Sequence, residues 1–276
     1  MCPADEGRAL RGAAAVESIA PGRFAVNLSP LYTVMDHPHG GYLQCLVVNG
    51  ALAAASADGA THLNATAVTT NFVNPPTVGP GELRVEVRRV GRGVSFVHAT
   101  LYQRNVVTLE SLVTLGTLRE GSPLRYQDAR PVELAARELC RSWEGTDEVA
   151  ITKVLEIRID PSTSGWWDGQ RLAQAEIRAW LRLDDGEASW DAWNILFACD
   201  ALPPATLPLG SSGWVPTLQL TSYVRRPPTS EWLRASQKAI VIAEGLVDER
   251  CELFDESGNL VASSSQLAMV RLPAGR

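Results

Sequence analysis

Cysteine is scarce and scattered: five residues, at positions 2, 45, 140, 199 and 251, an odd number with no C-x-x-C pair. That argues against a disulfide framework or a zinc site and fits a reducing cytoplasm. No apolar run approaches a membrane span, and MCPADEGRALRGAAAVES at the N-terminus lacks the apolar core of a secretion signal. The formal charge of −6 leaves no basic excess for nucleic acid. The cluster Arg84, Arg88, Arg89 and Arg92 is a local exception, read as a solvated strand edge and turn. The expectation is a cytoplasmic protein with no nucleic-acid partner and no membrane span.

Familiar catalytic signatures are missing too. LGSSGW at 209–214 has the wrong spacing for a G-x-S-x-G elbow. There is no Walker loop, and GRGVSF at 91–96 lacks the last glycine of a dinucleotide fingerprint. All four histidines (37, 39, 62 and 98) stand in the first half. Cys199 therefore has no histidine near it in sequence and reads as core. His37 and His39 flank a proline and read as loop histidines without a charge role, not as a metal pair. No metal or cofactor is called for.

Repetition is what the sequence does have. Its 276 residues, 45% hydrophobic and 20% charged, suffice for two ordinary domains. HPHGGYLQCLVVNGALAAAS (37–56) reads as a Gly-led apolar helix. Four Val-, Thr- and Leu-rich segments follow, at 61–76, 81–93, 94–105 and 106–118, and read as antiparallel strands. The second half repeats the order. SWDAWNILFACDALPP (189–204) is the predicted helix, with Ser189 or Asp191 as its cap. Strands are predicted at 216–228, 231–245, 246–257 and 259–272. TNFVNPP (70–76) matches SYVRRPP (222–228), and LVVNGALAAA (46–55) matches LFACDALPPA (196–205). Leading strands are predicted at 23–34 and 174–183. The chain thus divides into an N-terminal unit (1–118), a linker with a short helix around VELAARELC (119–150) and a C-terminal unit (151–276). Two α+β units of this kind should pack as an internal dimer.

One carboxylate stands out. If Trp193, Leu196 and Phe197 face the core, helical spacing puts Asp200 on the same face, just before Pro203 and Pro204 end the helix. Burial and the negative end of its own helix would both raise its pKa, as suits a general base.

The motifs HPHGGYLQCLVVNGAL, NFVNPP, VGRGVSF, CDALPPA, WVPTLQLTSYVRRPP and GNLVASSSQLAMVR occur in this order over residues 20–272. In them the chain resembles the double hot-dog type II acyl-CoA thioesterases and their thioesterase-like relatives. The resemblance implies two tandem hot-dog units, each a long helix wrapped by an antiparallel sheet. It also implies a hydrolytic water held by Asp200, Thr217 and Gln266. A carboxylate can take the proton of water, while a hydroxyl and an amide fix its orientation. Sliding the first half onto the second sets Gly50 opposite Asp200, Ala65 opposite Thr217 and Leu112 opposite Gln266, so packing alone does not require the polar trio.

Other candidate substrate contacts are Gly40, Gly41 and Tyr42, Trp193, Trp214, Arg225 and Arg226. The glycines either bring backbone N–H groups to the thioester oxygen or let the helix pack tightly. All eight tryptophans stand at or after position 143; Trp193 and Trp214 are candidates to line an acyl channel. Arg225 and Arg226 either reach a phosphate of coenzyme A or are strand-end charges. The expected substrate is an acyl-CoA or an acyl carrier protein thioester, and the expected assembly allows a homo-oligomer. Two alternatives stay open: a hot-dog hydratase or dehydratase on the same thioesters, and a non-catalytic acyl-thioester-binding protein.

Overall fold

The structure, a computed structural model, describes residues 9–144, 148–186 and 189–273. Cys2 lies outside the described residues. The first half runs α1 (Leu10–Ala13), β1 (Glu17–Ala20), β2 (Arg23–Leu28), β3 (Thr33–Val34), β4 (His37–Pro38), α2 (Gly40–Ala57), β5 (Asn64–Phe72), β6 (Gly79–Val90), β7 (Ser95–Gln103) and β8 (Val106–Gly116). The second runs β9 (Arg141–Ser142), β10 (Leu155–Ile159), β11 (Glu176–Leu183), α3 (Ile195–Ala198), β12 (Thr217–Val224), β13 (Leu233–Ala243), β14 (Leu246–Asp255) and β15 (Leu260–Met269).

Thirteen strands form one sheet in the order β1-β2-β6-β7-β8-β5-β12-β15-β14-β13-β11-β10-β9. Apart from β9, the order reads alike from either side of the β5–β12 seam. That seam pairs Thr69 with Thr221, and the two hydroxyls meet at 3.1 Å. A pseudo-two-fold axis therefore passes between these threonines. The irregularities obey it as well. β5 shifts register between Ala65 and Ala67, and β12 between Thr217 and Gln219. β6 shifts between Val87 and Arg89, and β13 between Ala239 and Val241. Such bulges bend strands and re-aim side chains.

The sheet encloses α2, which packs on β5, β6, β7 and α3. Residues 41–48 of α2 are buried without interruption, as suits a helix apolar nearly all round, and the amide of Gln44 among them donates to the Leu220 carbonyl. The second long helix expected at 189–204 has no counterpart. In its place Asp191 Oδ1 accepts the N–H groups of Trp193 and Asn194, while Asn194 Oδ1 accepts that of Asp191, a reciprocal cap. The turns that follow bond mostly i to i+3, α3 lasts four residues, and Pro203 and Pro204 prevent any continuation.

The helix expected around VELAARELC is also absent; only Arg137–Leu139 form a single 3₁₀ turn. Its backbone is claimed from outside: the Ala135 N–H donates to Asp160 Oδ2, and Trp180 Nε1 donates to the Ala135 carbonyl. The segment is tied to the second half elsewhere, through Gln127 to Gly258 and Leu260 and through the β9–β10 pair.

Candidate active site

Asp200 follows α3 and faces the start of α2. Its Oδ2 accepts the Gly41 N–H at 3.1 Å and lies 3.5 Å from His39 Nε2. His39 is the N-cap of α2: its Nδ1 accepts the Tyr42 N–H, so Nε2 carries the proton and also donates to the Asp200 carbonyl at 2.9 Å. Only 13% of the Asp200 side chain is exposed. Burial raises its carboxyl pKa, opposed by His39 and by the N–H groups of Gly41 and Gly40. The carboxylate thus faces the N–H end of the 18-residue α2.

The two glycines serve this contact. A Cβ on Gly40 would come within 2.6 Å of Asp200 Oδ2, and one on Gly41 within 2.7 Å of the Leu196 carbonyl oxygen and 2.8 Å of that of Phe197. Gly40 thus admits the carboxylate and Gly41 the crossing of α3. The Gly41 and Tyr42 N–H groups are committed to Asp200 and His39. Gly41→Ala should destabilise the protein by about 1–3 kcal/mol, because the obstructing atoms are backbone. A urea-unfolding midpoint equal to that of wild type would contradict this.

Asp200, Thr217 and Gln266 line one cavity of about 530 Å³. Thr217 opens β12 at the bulge and donates to Gln266 Oε1 at 3.3 Å. The walls are mainly apolar, with Phe72, Pro75 and Pro76 from the first half and Leu207, Trp214 and Met269 from the second. Trp214 stacks on His37 with centroids 4.1 Å apart. Gly40 and Trp214 reach the cavity; Gly41, Tyr42, Trp193, Arg225 and Arg226 are not among its walls.

Tyr42 is a buried strut. Its hydroxyl donates to the Ala13 carbonyl and accepts the Ser29 N–H, and burial pushes its pKa to about 12. Trp193 is buried with Nε1 on the Cys45 carbonyl. Arg225 and Arg226 follow the far end of β12, eight residues and roughly 25 Å of strand from Thr217. Cys199 is buried core, its thiol pushed to about 12 by desolvation.

Behind Gln266 stands a residue the sequence reading missed. Glu249 of β14 is fully buried; its Oε2 accepts from Gln266 Nε2 (2.6 Å) and Gln237 Nε2 (2.8 Å), and its Oε1 from the Ala205 N–H (2.8 Å). Superposing Thr69 on Thr221 and following the strand register sets Ala65 on Thr217, Val113 on Gln266, Val97 on Glu249 and Val85 on Gln237. The counterpart of Gln266 is thus Val113. Leu112, one residue away, corresponds to Ser265 and is 63% exposed on the outer face. His39 was likewise missed in its role: it is a buried cap touching Asp200, not a loop residue.

Comparison with known proteins bears on the fold and the family. The acyl-CoA thioesterase N-terminal domain matches residues 29–116, and the acyl-CoA thioesterase C-terminal domain matches residues 131–270. A Thermobifida fusca YX protein assigned as a thioesterase II is 28% identical, with a TM-score of 0.86 and 97% of each chain covered. Acyl-CoA thioesterase II TesB2 of Mycobacterium marinum, 16% identical over 97% of this chain and 100% of its own, shares the fold at a TM-score of 0.74. An uncharacterised Mycobacterium tuberculosis protein (strain ATCC 25618 / H37Rv) is 28% identical over 276 residues, 90% of each chain. With both domains matched in order and the hot-dog sheet in place, the chain belongs to the acyl-CoA thioesterase family.

Proposed function

We propose that the protein hydrolyses an acyl-CoA thioester to the free acid and coenzyme A. Asp200 takes a proton as water adds to the thioester carbon. The tetrahedral intermediate collapses by breaking the C–S bond, and the departing sulfur recovers the proton from Asp200. Thr217 and Gln266 orient the water. The observation that carries this reading is the asymmetry of the repeat. Asp200, Thr217, Gln237 and Gln266 line the cavity in the second half, with Glu249 behind them, where the first half has Gly, Ala and three Val. The first-half site is accordingly degenerate.

One contact favours a second reading, hydration or dehydration of the same thioesters, chemistry that pairs a histidine with a carboxylate. His39 supplies that histidine from the first half. Both its nitrogens are engaged by backbone, however, which suits a holder of Asp200 better than a proton donor to substrate. Release of free thiol from acyl-CoAs of graded chain length separates the readings. Turnover with thiol release is expected; a hydrated thioester product, or binding without product, would overturn hydrolysis.

The apolar walls should bind the acyl chain. Trp214→Ala is expected to raise KM several-fold with kcat nearly kept, the signature of lost uniform binding. Steady-state kinetics on the preferred acyl-CoA check it, and a fall in kcat alone would contradict it.

A further inference from the structure

We propose that Glu249 is a positioning residue of this site: it fixes the Gln266 amide so that only hydrogen-bond acceptors face the attacking water. The inference rests on the hydrolytic reading above. Both oxygens of Glu249 act as acceptors, Oε1 for the Ala205 N–H and Oε2 for the Gln237 amide, so the end of Gln266 that touches Oε2 at 2.6 Å is its NH₂. The other end, Oε1, is thereby turned toward Thr217, 3.3 Å away, and accepts from its hydroxyl. Thr217 spends its single proton there and keeps only lone pairs for the cavity.

A water between Asp200, Thr217 and Gln266 then meets acceptors on every protein side. It donates both protons and keeps a lone pair for the thioester carbon. With the amide reversed, the NH₂ group of Gln266 would point toward the cavity and Thr217, engage that lone pair and spoil the nucleophile.

Glu249 is costly to hold. It is fully buried, and its hydrogen-bond donors among the described residues are two side-chain amides and one backbone N–H, with no cation. The charge of Asp200 adds to the cost by raising the Glu249 pKa further, after burial itself. Packing does not demand it, since Val97, Val85 and Val113 fill the corresponding positions of the first half. A buried carboxylate with no packing role, bonded to a cavity glutamine, is explained by what it does to that glutamine.

The test compares kcat, KM and melting temperature for Glu249→Gln and Glu249→Val, each alone and the latter also with Gln266→Val. Glu249→Val should lower kcat by at least ~10-fold with KM within about two-fold of wild type. Glu249→Gln, nearly isosteric and still able to accept from one amide, should fall between and guards against a folding failure. With Gln266→Val already in place, adding Glu249→Val should change kcat by less than about two-fold, because its effect runs through Gln266. Wild-type kcat in folded Glu249 variants, a change confined to KM, or additive losses in the double variant would each overturn the inference. If wild type turns over and Asp200→Asn abolishes it while Glu249 variants stay active, only this inference fails. A wild type without turnover removes the hydrolytic reading and this inference with it.

Discussion

Replacing Asp200 by Asn is expected to give a folded protein that releases thiol at least ~10²-fold more slowly than wild type. Asn keeps the shape and can still accept the Gly41 N–H, but it cannot take a proton from water. The wild-type pH profile should carry the mark of the same group. Burial raises the Asp200 carboxyl above the usual aspartate range despite the opposing His39 and glycine N–H groups. Turnover should therefore fall as pH drops through that raised value. The residual activity of the Asn variant should lack this limb.

Stability should move the other way. A carboxyl whose pKa is higher folded than unfolded contributes stability that is complete below the unfolded pKa and lost as pH rises through the folded one. At about pH 8 the charged Asp200 therefore opposes folding, and the Asn variant should be as stable as wild type or more so. Thermal denaturation at about pH 4.5 and pH 8 reads this directly. A variant clearly less stable at the higher pH would make Asp200 a structural anchor, and its assignment as base would have to be abandoned.

A carboxylate at the corresponding place in the first half should instead unfold the protein. A Cβ on Gly50 would approach Leu83 Cδ2 to 2.4 Å and Val85 Cγ2 to 3.3 Å. Val97 and Val113 stand where the second half has Glu249 and Gln266. Gly50→Asp therefore combines overpacking with a buried charge that has no donors. Its expected cost exceeds ~4 kcal/mol, a large part of an ordinary domain's 5–15 kcal/mol. Soluble yield and urea unfolding measure it. A variant as stable as wild type would mean that the first half keeps room for a polar site, contrary to the packing around Gly50.

The strands were legible because alternation survives in them; β5 to β8 and β12 to β15 all lie within their predicted segments or overrun them by no more than two residues. The second helix misled because its apolar residues have helical spacing, yet they pack as a capped turn against α2, and spacing alone does not register how closely Gly41 lets α3 approach. Thr217 and Gln266 were reached through family resemblance, since nothing local distinguishes a threonine at a bulge. Glu249 did carry a local signal. Val247, Glu249, Cys251 and Leu253 alternate along LVDERCELF, so a glutamate sits in the inward row of an otherwise apolar face. His39 gave no such sign, because its partner Asp200 is 161 residues away.

The seam between β5 and β12 has a consequence for catalysis. Thr217 stands four residues from Thr221, which marks the axis, on a strand hydrogen-bonded to β5 on one side and to β15 on the other. Sliding a strand by one residue exchanges its two faces. Such a slip would swing the Thr217 hydroxyl out of the cavity and part it from Gln266, and would turn the buried Leu220 and Val224 of the same strand outward. Thr217 and the core of the seam are thus held by one register, so a chain misaligned at its midline would lose rate and melting temperature together.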